Sequence, residues 1–322
     1  MTATDPPPVR RGFRHEAFIY SGDTEFIEGV SDFVRQGVAG DDAVLVVVDA
    51  PKIDRLRTAL DGTASSVSFA DMQDVGHNPA LVMQLWRDFV GAQVDRGRAI
   101  RGVGEPMSWG RSEAARAECH IQEALLNSAF GAETEFWLLC PYDATALAGT
   151  DVATAVANHP YTRDDGGRVG AHAQHADAVE PLTAELAAPP ADAETIPFGR
   201  TTIRELRETV AQRARSYGVA DDGVAGLVLA VSEVATNTVI HGHGDGSADV
   251  WVTDGSFLCE LRGPGRVTDP MVGRVRPKRG QMHGYGIWLA NQFCDLVQIR
   301  SCEAGTTVRL HLARDAGRAN VA

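Results

Sequence analysis

The sequence predicts two folds in tandem: an α/β unit on a mainly parallel sheet, then an α+β two-layer sandwich. Three observations carry that prediction. From Glu16 to about Tyr161, short apolar runs alternate with amphipathic segments, as in a sheet covered by helices on both faces. Between Arg163 and Arg200 the texture turns to Gly, Ala and Pro, ending in Ala188-Pro189-Pro190-Ala-Asp-Ala-Glu without sustained periodicity. Beyond Ile196, helical patterns and a hairpin signal replace the alternation.

The elements follow in order. Strands are predicted at Ala17 to Tyr20, Val44 to Asp49, Val67 to Phe69, Ile100 to Val103 and Phe136 to Cys140. A helix opens at Asp23 as N-cap, with Phe26, Val30, Phe33 and Val34 on one face; others span Pro79 to Val94 and Ser112 to Phe130. Ligands of such sheets bind outside the carboxyl ends of the strands, which places Asp49, Glu105, Pro141 and Tyr142 near a crevice. No Gly-x-x-x-x-Gly-Lys-Ser/Thr accompanies any strand, so a phosphate cradle is not expected there. The linker carries a short helix at Val179 to Ala187. In the second unit, helices are predicted at Thr202 to Ser216, Asp221 to His241 and Tyr285 to Phe293. Strands at Ala248 to Thr253 and Phe257 to Arg262 are joined by Asp254-Gly255, and two more run from Leu296 to Ser301 and Thr307 to Leu312. The resulting map is a tail at 1–12, a domain at 13–162, a linker at 163–195, a domain at 196–313 and a tail at 314–322.

Composition narrows the function classes. The chain has 322 residues, enough for two cores, and a net charge of -13, which argues against direct nucleic-acid binding because phosphate backbones are held by Lys and Arg. Five scattered cysteines lack the paired spacing of a zinc or disulfide framework and read as buried thiols of a cytoplasmic protein. The N-terminus shows no signal peptide, and no stretch is read as a membrane span.

The segment Glu233-Val-Ala-Thr-Asn237-Thr-Val-Ile-His241 puts Glu233, Asn237 and His241 on one helical face, with Leu229, Val234 and Ile240 free to face a core. A carboxylate and a carboxamide one turn apart can hold a hard cation and supply a base beside it, as phosphoryl transfer from a magnesium nucleotide requires. Two glycine turns follow, Arg262-Gly263-Pro264-Gly265 and Gly284-Tyr285-Gly286, and Gly305-Thr306-Thr307 leads the last strand. His241, His243 and His283 lack a further ligand set and are read as chance.

In this order and spacing, the pieces resemble the ATP-binding domain shared by histidine kinases, gyrase and Hsp90-type proteins, and more closely the anti-sigma-factor serine/threonine kinases of that superfamily. The resemblance covers roughly Ile196 to Ala313 and implies the Bergerat (GHKL) sandwich, with ATP and Mg2+ as cofactors. It implies that Glu233 is the catalytic base toward a serine hydroxyl on an antagonist protein and that Asn237 binds magnesium. Asn237, His241, Gly263, Gly265, Gly284, Gly286 and Thr306 fall at nucleotide-binding positions, Thr306 at that of a threonine assisting the adenine. Partners are a sigma factor and an anti-sigma-factor antagonist, and a homodimer is the common assembly. The family's adenine-selecting aspartate is replaced by Gly263, which costs on the order of 1 to 3 kcal/mol, about one to two decades of affinity. The substitution Gly263→Asp is expected to recover it. The basic stretch with Arg266, Arg274, Arg276, Lys278 and Arg279 takes the place of the ATP lid, free to engage phosphates or to be solvated.

In the first unit, Phe13-Arg-His15-Glu-Ala-Phe-Ile-Tyr20, Gly37-Val-Ala-Gly40-Asp-Asp-Ala-Val-Leu-Val-Val-Val48, Gly104-Glu105-Pro106 and Phe136-Trp-Leu-Leu-Cys140-Pro-Tyr142 are similar to the MEDS sensory domain of bacterial regulators. That similarity implies a RecA-like sheet without a working P-loop and a small-molecule or partner ligand. His15, Glu105 and Tyr142 are its candidate pocket residues, or else local packing groups. Two functions stay open: a sensor-controlled serine kinase, or a non-enzymatic partner-binding switch with a degenerate nucleotide site. A histidine kinase is disfavoured, since His172 and His175 of the linker lie outside any heptad pattern.

Overall fold

The computed structural model describes residues 12–107, 111–131, 133–163, 169–171, 180–242, 244–253, 255–277 and 285–314. The chain divides into two compact units, residues 1–75 with 85–176, and residues 76–84 with 177–322.

In chain order the first part holds β1 (Phe13–Tyr20), α1 (Gly22–Ala39), β2 (Ala43–Val48), α2 (Ala50–Leu60), a 3-10 turn (Asp61–Ser66), β3 (Val67–Asp71), α3 (Met72–Val75) and α4 (Pro79–Val94). There follow β4 (Ile100–Gly104), α5 (Glu113–Ala129), β5 (Phe136–Asp143), α6 (Gly149–Asn158), β6 (Tyr161–Arg163) and β7 (Val169–Ala171). The strands form one sheet in the order β3-β2-β4-β5-β1-β6-β7, parallel except where β7 runs against β6. Every residue of β2 is buried, as expected of a parallel strand covered on both faces.

On one face of this sheet, Phe26, Val30, Phe33 and Val34 of α1 and Ile53, Leu56 and Leu60 of α2 pack on Phe18, Tyr20, Val44, Val46 and Val48. The alternation of a strand then sends His15 and Ala17 of β1, and Leu138, Cys140 and Tyr142 of β5, to the opposite face. One terminal detail differs from expectation. Ser21, not Asp23, is the N-cap of α1, and it alone joins strand to helix; its N–H donates to Glu25 Oε2 (2.7 Å). Asp49, at the carboxyl end of β2, also caps α2 by accepting from the Lys52 N–H (3.0 Å).

The second part holds α7 (Glu180–Thr183), shorter than the helix expected there, β8 (Glu194–Phe198), α8 (Ile203–Tyr217), α9 (Asp221–His241), β9 (Gly246–Thr253), β10 (Ser256–Gly263), α10 (Tyr285–Phe293), β11 (Leu296–Cys302) and β12 (Gly305–Ala313). Its antiparallel sheet runs β11-β12-β10-β9-β8. Helices cover one face, where Leu206, Val210, Leu227, Val231, Val234 and Ala290 meet Phe257, Cys259, Leu261, Val308 and Leu310. On the other face Glu260 pairs with Arg309 (Nε–Oε2 2.6 Å), and Arg262 with Asp249 (2.6 Å).

The helix α9 departs from its sequence reading twice. Its stretch Asp221–Ile240, with mean hydropathy 1.6, is by length and composition apolar enough to cross a membrane, although no stretch was expected to approach that; in the fold one side of it packs in the core. Its buried stripe is Val224, Leu227, Val231, Val234 and Ala235. Leu229 and Ile240 were expected inward but are exposed, because eleven residues at about 100° each bring them back to one shared outer face.

Candidate functional site

The nucleotide-site candidates gather where α9, α10 and the glycine turn after β10 meet. A cavity of about 280 Å³ is lined by Val234, Asn237, Thr238 and Gly242 of α9 and its C-cap, by Gly263, Gly265, Arg266 and Val267 of the turn, and by Val272, Ile287, Thr306 and Val308. Five branched aliphatic residues, Val234, Val267, Val272, Ile287 and Val308, line it beside glycines and a few polar side chains, a make-up suited to a small molecule. A more polar cavity of about 550 Å³ shares Gly263 and Thr306 and continues to Glu260, Arg262 and Arg300. It lacks Asn237, so the smaller one is the nucleotide candidate.

Glu233 and Asn237 are half-buried and both border Gly286 near the N-terminus of α10. A Cβ on Gly286 would lie 2.9 Å from Glu233 Cβ, 3.0 Å from Glu233 Oε2 and 3.1 Å from Asn237 Nδ2. Glycine is what lets the two helices close on the polar pair. Glu233 itself is not among the cavity-lining residues; it stands at the margin, beside Asn237. These oxygen donors fit a hard cation, and a helix N-terminus beside them favours an anionic phosphate.

Thr306 is fixed by a directional chain. Its hydroxyl donates to the Gly265 carbonyl (2.7 Å), so in the Ser301–Thr306 contact (2.9 Å) Ser301 is the donor; Ser301 Oγ accepts in turn from the Val267 N–H (2.9 Å). This relay ties the glycine turn to β11 and β12. The Thr306 oxygen keeps one lone pair for a ligand.

At Gly263 the structure changes the expectation. A Cβ there would lie 2.1 Å from Thr238 Cγ2 and 3.2 Å from Thr238 Oγ1. Thr238 therefore occupies the space into which an aspartate side chain at this position would grow, and restoring the carboxylate alone creates a clash. Gly263→Asp is expected to weaken adenine-nucleotide binding or leave it unchanged, whereas Gly263→Asp with Thr238→Ala raises it by about one to two decades. Calorimetry on both variants checks this; equal gain in the single variant shows that Thr238 is no obstacle.

The remaining candidates divide. His241 ends α9, but its side chain, like Gly284, His243, Lys278, Arg279 and His283, lies outside the described residues. Arg266 lines the cavity, Arg274 is buried, and the Arg276 guanidinium lies 5.7 Å from the Trp288 ring. The turn around them is held by Asn291, whose Nδ2 donates to the Gly273 carbonyl (3.0 Å). Thr238, Val272 and Ser301 were not singled out in the sequence, since threonine, valine and serine carry no spacing signal there.

In the first unit, His15, Glu105 and Tyr142 are all buried but belong to two clusters on opposite faces of the sheet. Glu105 accepts from Tyr20 OH (2.6 Å) and Lys52 Nζ (2.5 Å) at the carboxyl ends of β1 and β4. Burial raises its carboxyl above the ordinary value, against the pull of Lys52. His15 and Tyr142 instead meet Glu123 of α5. Glu123 Oε2 lies 3.3 Å from His15 Nε2 and 3.1 Å from His159 Nε2, and it accepts from Tyr142 OH (3.1 Å). Cys140 Sγ is 3.4 Å from His15 Nε2. Burial alone would raise the Glu123 carboxyl, but the His15 and His159 rings beside it outweigh that and hold it well below the carboxylate range. Burial, then the neighbouring His15, holds His159 below its usual value, and burial with the Glu123 charge pushes the Cys140 thiol up. Four of the five cysteines are buried and Cys302 is half-buried; none forms a disulfide.

Comparison with known proteins agrees with this division. Residues 14–160 match the MEDS model, the methanogen/methylotroph, DcmR sensory domain, and residues 196–312 match the histidine kinase-like ATPase domain. No curated protein matches. Among solved structures, the RsbU and RsbW domains of Rv1364c from Mycobacterium tuberculosis are similar at 17% identity over 37% of this chain and 32% of that one, with a TM-score of 0.29. The aligned part is about a third of that solved chain, and a likeness this slight says nothing of function.

Proposed function

For a chain that joins a MEDS sensory domain to a histidine kinase-like ATPase domain, we propose a cytoplasmic signalling regulator whose sensory half controls an anti-sigma-factor-type serine kinase. The observation that carries this reading is Gly286 set against both Glu233 and Asn237 beside the cavity. Bound magnesium ATP would supply the phosphoryl group, with the metal offsetting its charge. Asn237 would hold the metal through its carboxamide oxygen. Glu233 takes the proton of a serine hydroxyl on the antagonist protein, which a carboxylate does best within hydrogen-bond reach. Thr306 would contact the adenine, and Gly263 and Gly265 would let the turn approach it. Holding a sigma factor is the second half of the proposal, as is a homodimeric assembly.

One observation favours a second reading, a partner-binding switch with a decayed nucleotide site: Thr238 fills the place of the adenine-selecting carboxylate. Titration calorimetry with magnesium ATP separates the two. The kinase reading expects binding that Asn237→Ala weakens by at least tenfold, while no heat at millimolar nucleotide leaves only the switch.

A further inference from the structure

The geometry points to a closed transition-metal site of the zinc class inside the sensory domain, with His15 Nε2, His159 Nε2, Glu123 Oε2 and Cys140 Sγ as its ligands. These four atoms lie within 4.8 Å of one another, and all four residues are buried. The contacts at 3.1, 3.3 and 3.4 Å approach the separation of about 3.3–3.6 Å between ligands of a tetrahedral zinc, given bonds near 2.0 Å to nitrogen and 2.3 Å to sulfur.

The outer contacts fix which ring nitrogens face inward. His159 Nδ1 lies 2.7 Å from the Ala155 carbonyl, so it must be the donor and carry the hydrogen. His15 Nδ1 lies 3.1 Å from Asn127 Oδ1, and the Asn127 amide is oriented by donating its Nδ2 hydrogen to the Asn158 carbonyl (2.7 Å), so His15 Nδ1–H is likewise the donor. In the neutral ring each Nε2 is then a lone pair aimed at the centre. His159 Nε2 has no hydrogen-bond partner there and faces a carboxylate oxygen that is also an acceptor. A cation between them resolves that opposition, and a ligating histidine with its far nitrogen on a carbonyl is the usual second-shell arrangement.

Charge and donor type select the ion. A carboxylate and a thiolate neutralise a divalent cation while two imidazoles add none, so a fully buried centre carries no net charge. Nitrogen and sulfur donors disfavour magnesium and calcium. Four protein ligands with no exposed position make a structural or sensing site rather than a catalytic one. The ion clips β1, β5, α5 and the segment after α6 together. On binding, the Cys140 proton leaves to solvent as the sulfur–metal bond forms.

The test uses the full chain stripped with chelator and titrated with cobalt(II), then zinc. One equivalent of cobalt with a sulfur-to-cobalt absorption band, displaced by zinc, is expected. Cys140→Ser abolishes the band. Tyr142→Phe, which removes only the hydrogen bond to Glu123, weakens affinity about 10–100-fold with the circular dichroism unchanged. Should Cys140→Ser fail to fold, X-ray absorption of the wild-type cobalt protein decides, with one sulfur and two imidazoles expected. No binding by natively folded protein, a cobalt shell without sulfur such as His172 and His175 of the linker would give, or a band that survives Cys140→Ser each overturns the assignment.

Discussion

Glu233→Gln is expected to lower phosphoryl transfer to a serine of the antagonist by about 10²–10⁴-fold, the usual loss when a general base is removed. Glutamine keeps the shape of the side chain, so the contact across Gly286 and the spacing to Asn237 survive. Magnesium ATP affinity should therefore stay within about threefold of wild type, a change under 1 kcal/mol. Single-turnover transfer of labelled phosphate measures the first quantity and calorimetry the second. A rate unchanged in Glu233→Gln means that the proton leaves by another route, and Glu233 is then a positioning group at most.

Gly286→Ala is expected to weaken nucleotide binding by about 5–150-fold, although it puts a better helix former into α10. The propensity gain is at most about 1 kcal/mol. Against it, the new methyl group would sit 2.9 Å from Glu233 Cβ, a stem atom that cannot swing aside as a flexible tip could. Relief requires α10 to lift from α9 or Glu233 and Asn237 to turn away, and overpacking of this kind costs about 1–3 kcal/mol. Melting temperature and ATP affinity, read on the same sample, separate the two contributions. Wild-type affinity with a raised melting temperature would show that close approach of α10 is not what assembles the site.

The strand-helix alternation of the first unit and the hairpin of the second were readable because side-chain periodicity is a local property of the chain. The stripe Phe26, Val30, Phe33 and Val34 is an instance: its i, i+4, i+7 spacing names a helix face, and that face is buried. Leu229 and Ile240 show the limit. Both are apolar on an apolar helix, but only packing chooses which arc of α9 meets the sheet, and it takes Leu227 and Val231 instead.

By itself the sequence determined the two folds, their order, and the glycine turns that follow a helix with Glu233 and Asn237 one turn apart, because each rests on residues close along the chain. Only the tertiary structure decided what those residues touch. It set Thr238 against Gly263, so that the missing carboxylate is a filled space and not an empty one. It separated Glu105 from His15 and Tyr142, because strand alternation sends neighbouring side chains to opposite faces. It also brought Cys140 of β5, Glu123 of α5 and His159 beyond α6 to His15 of β1. A parallel sheet aligns strands distant in sequence, and the register of β1 on β5 has no local signature in either strand.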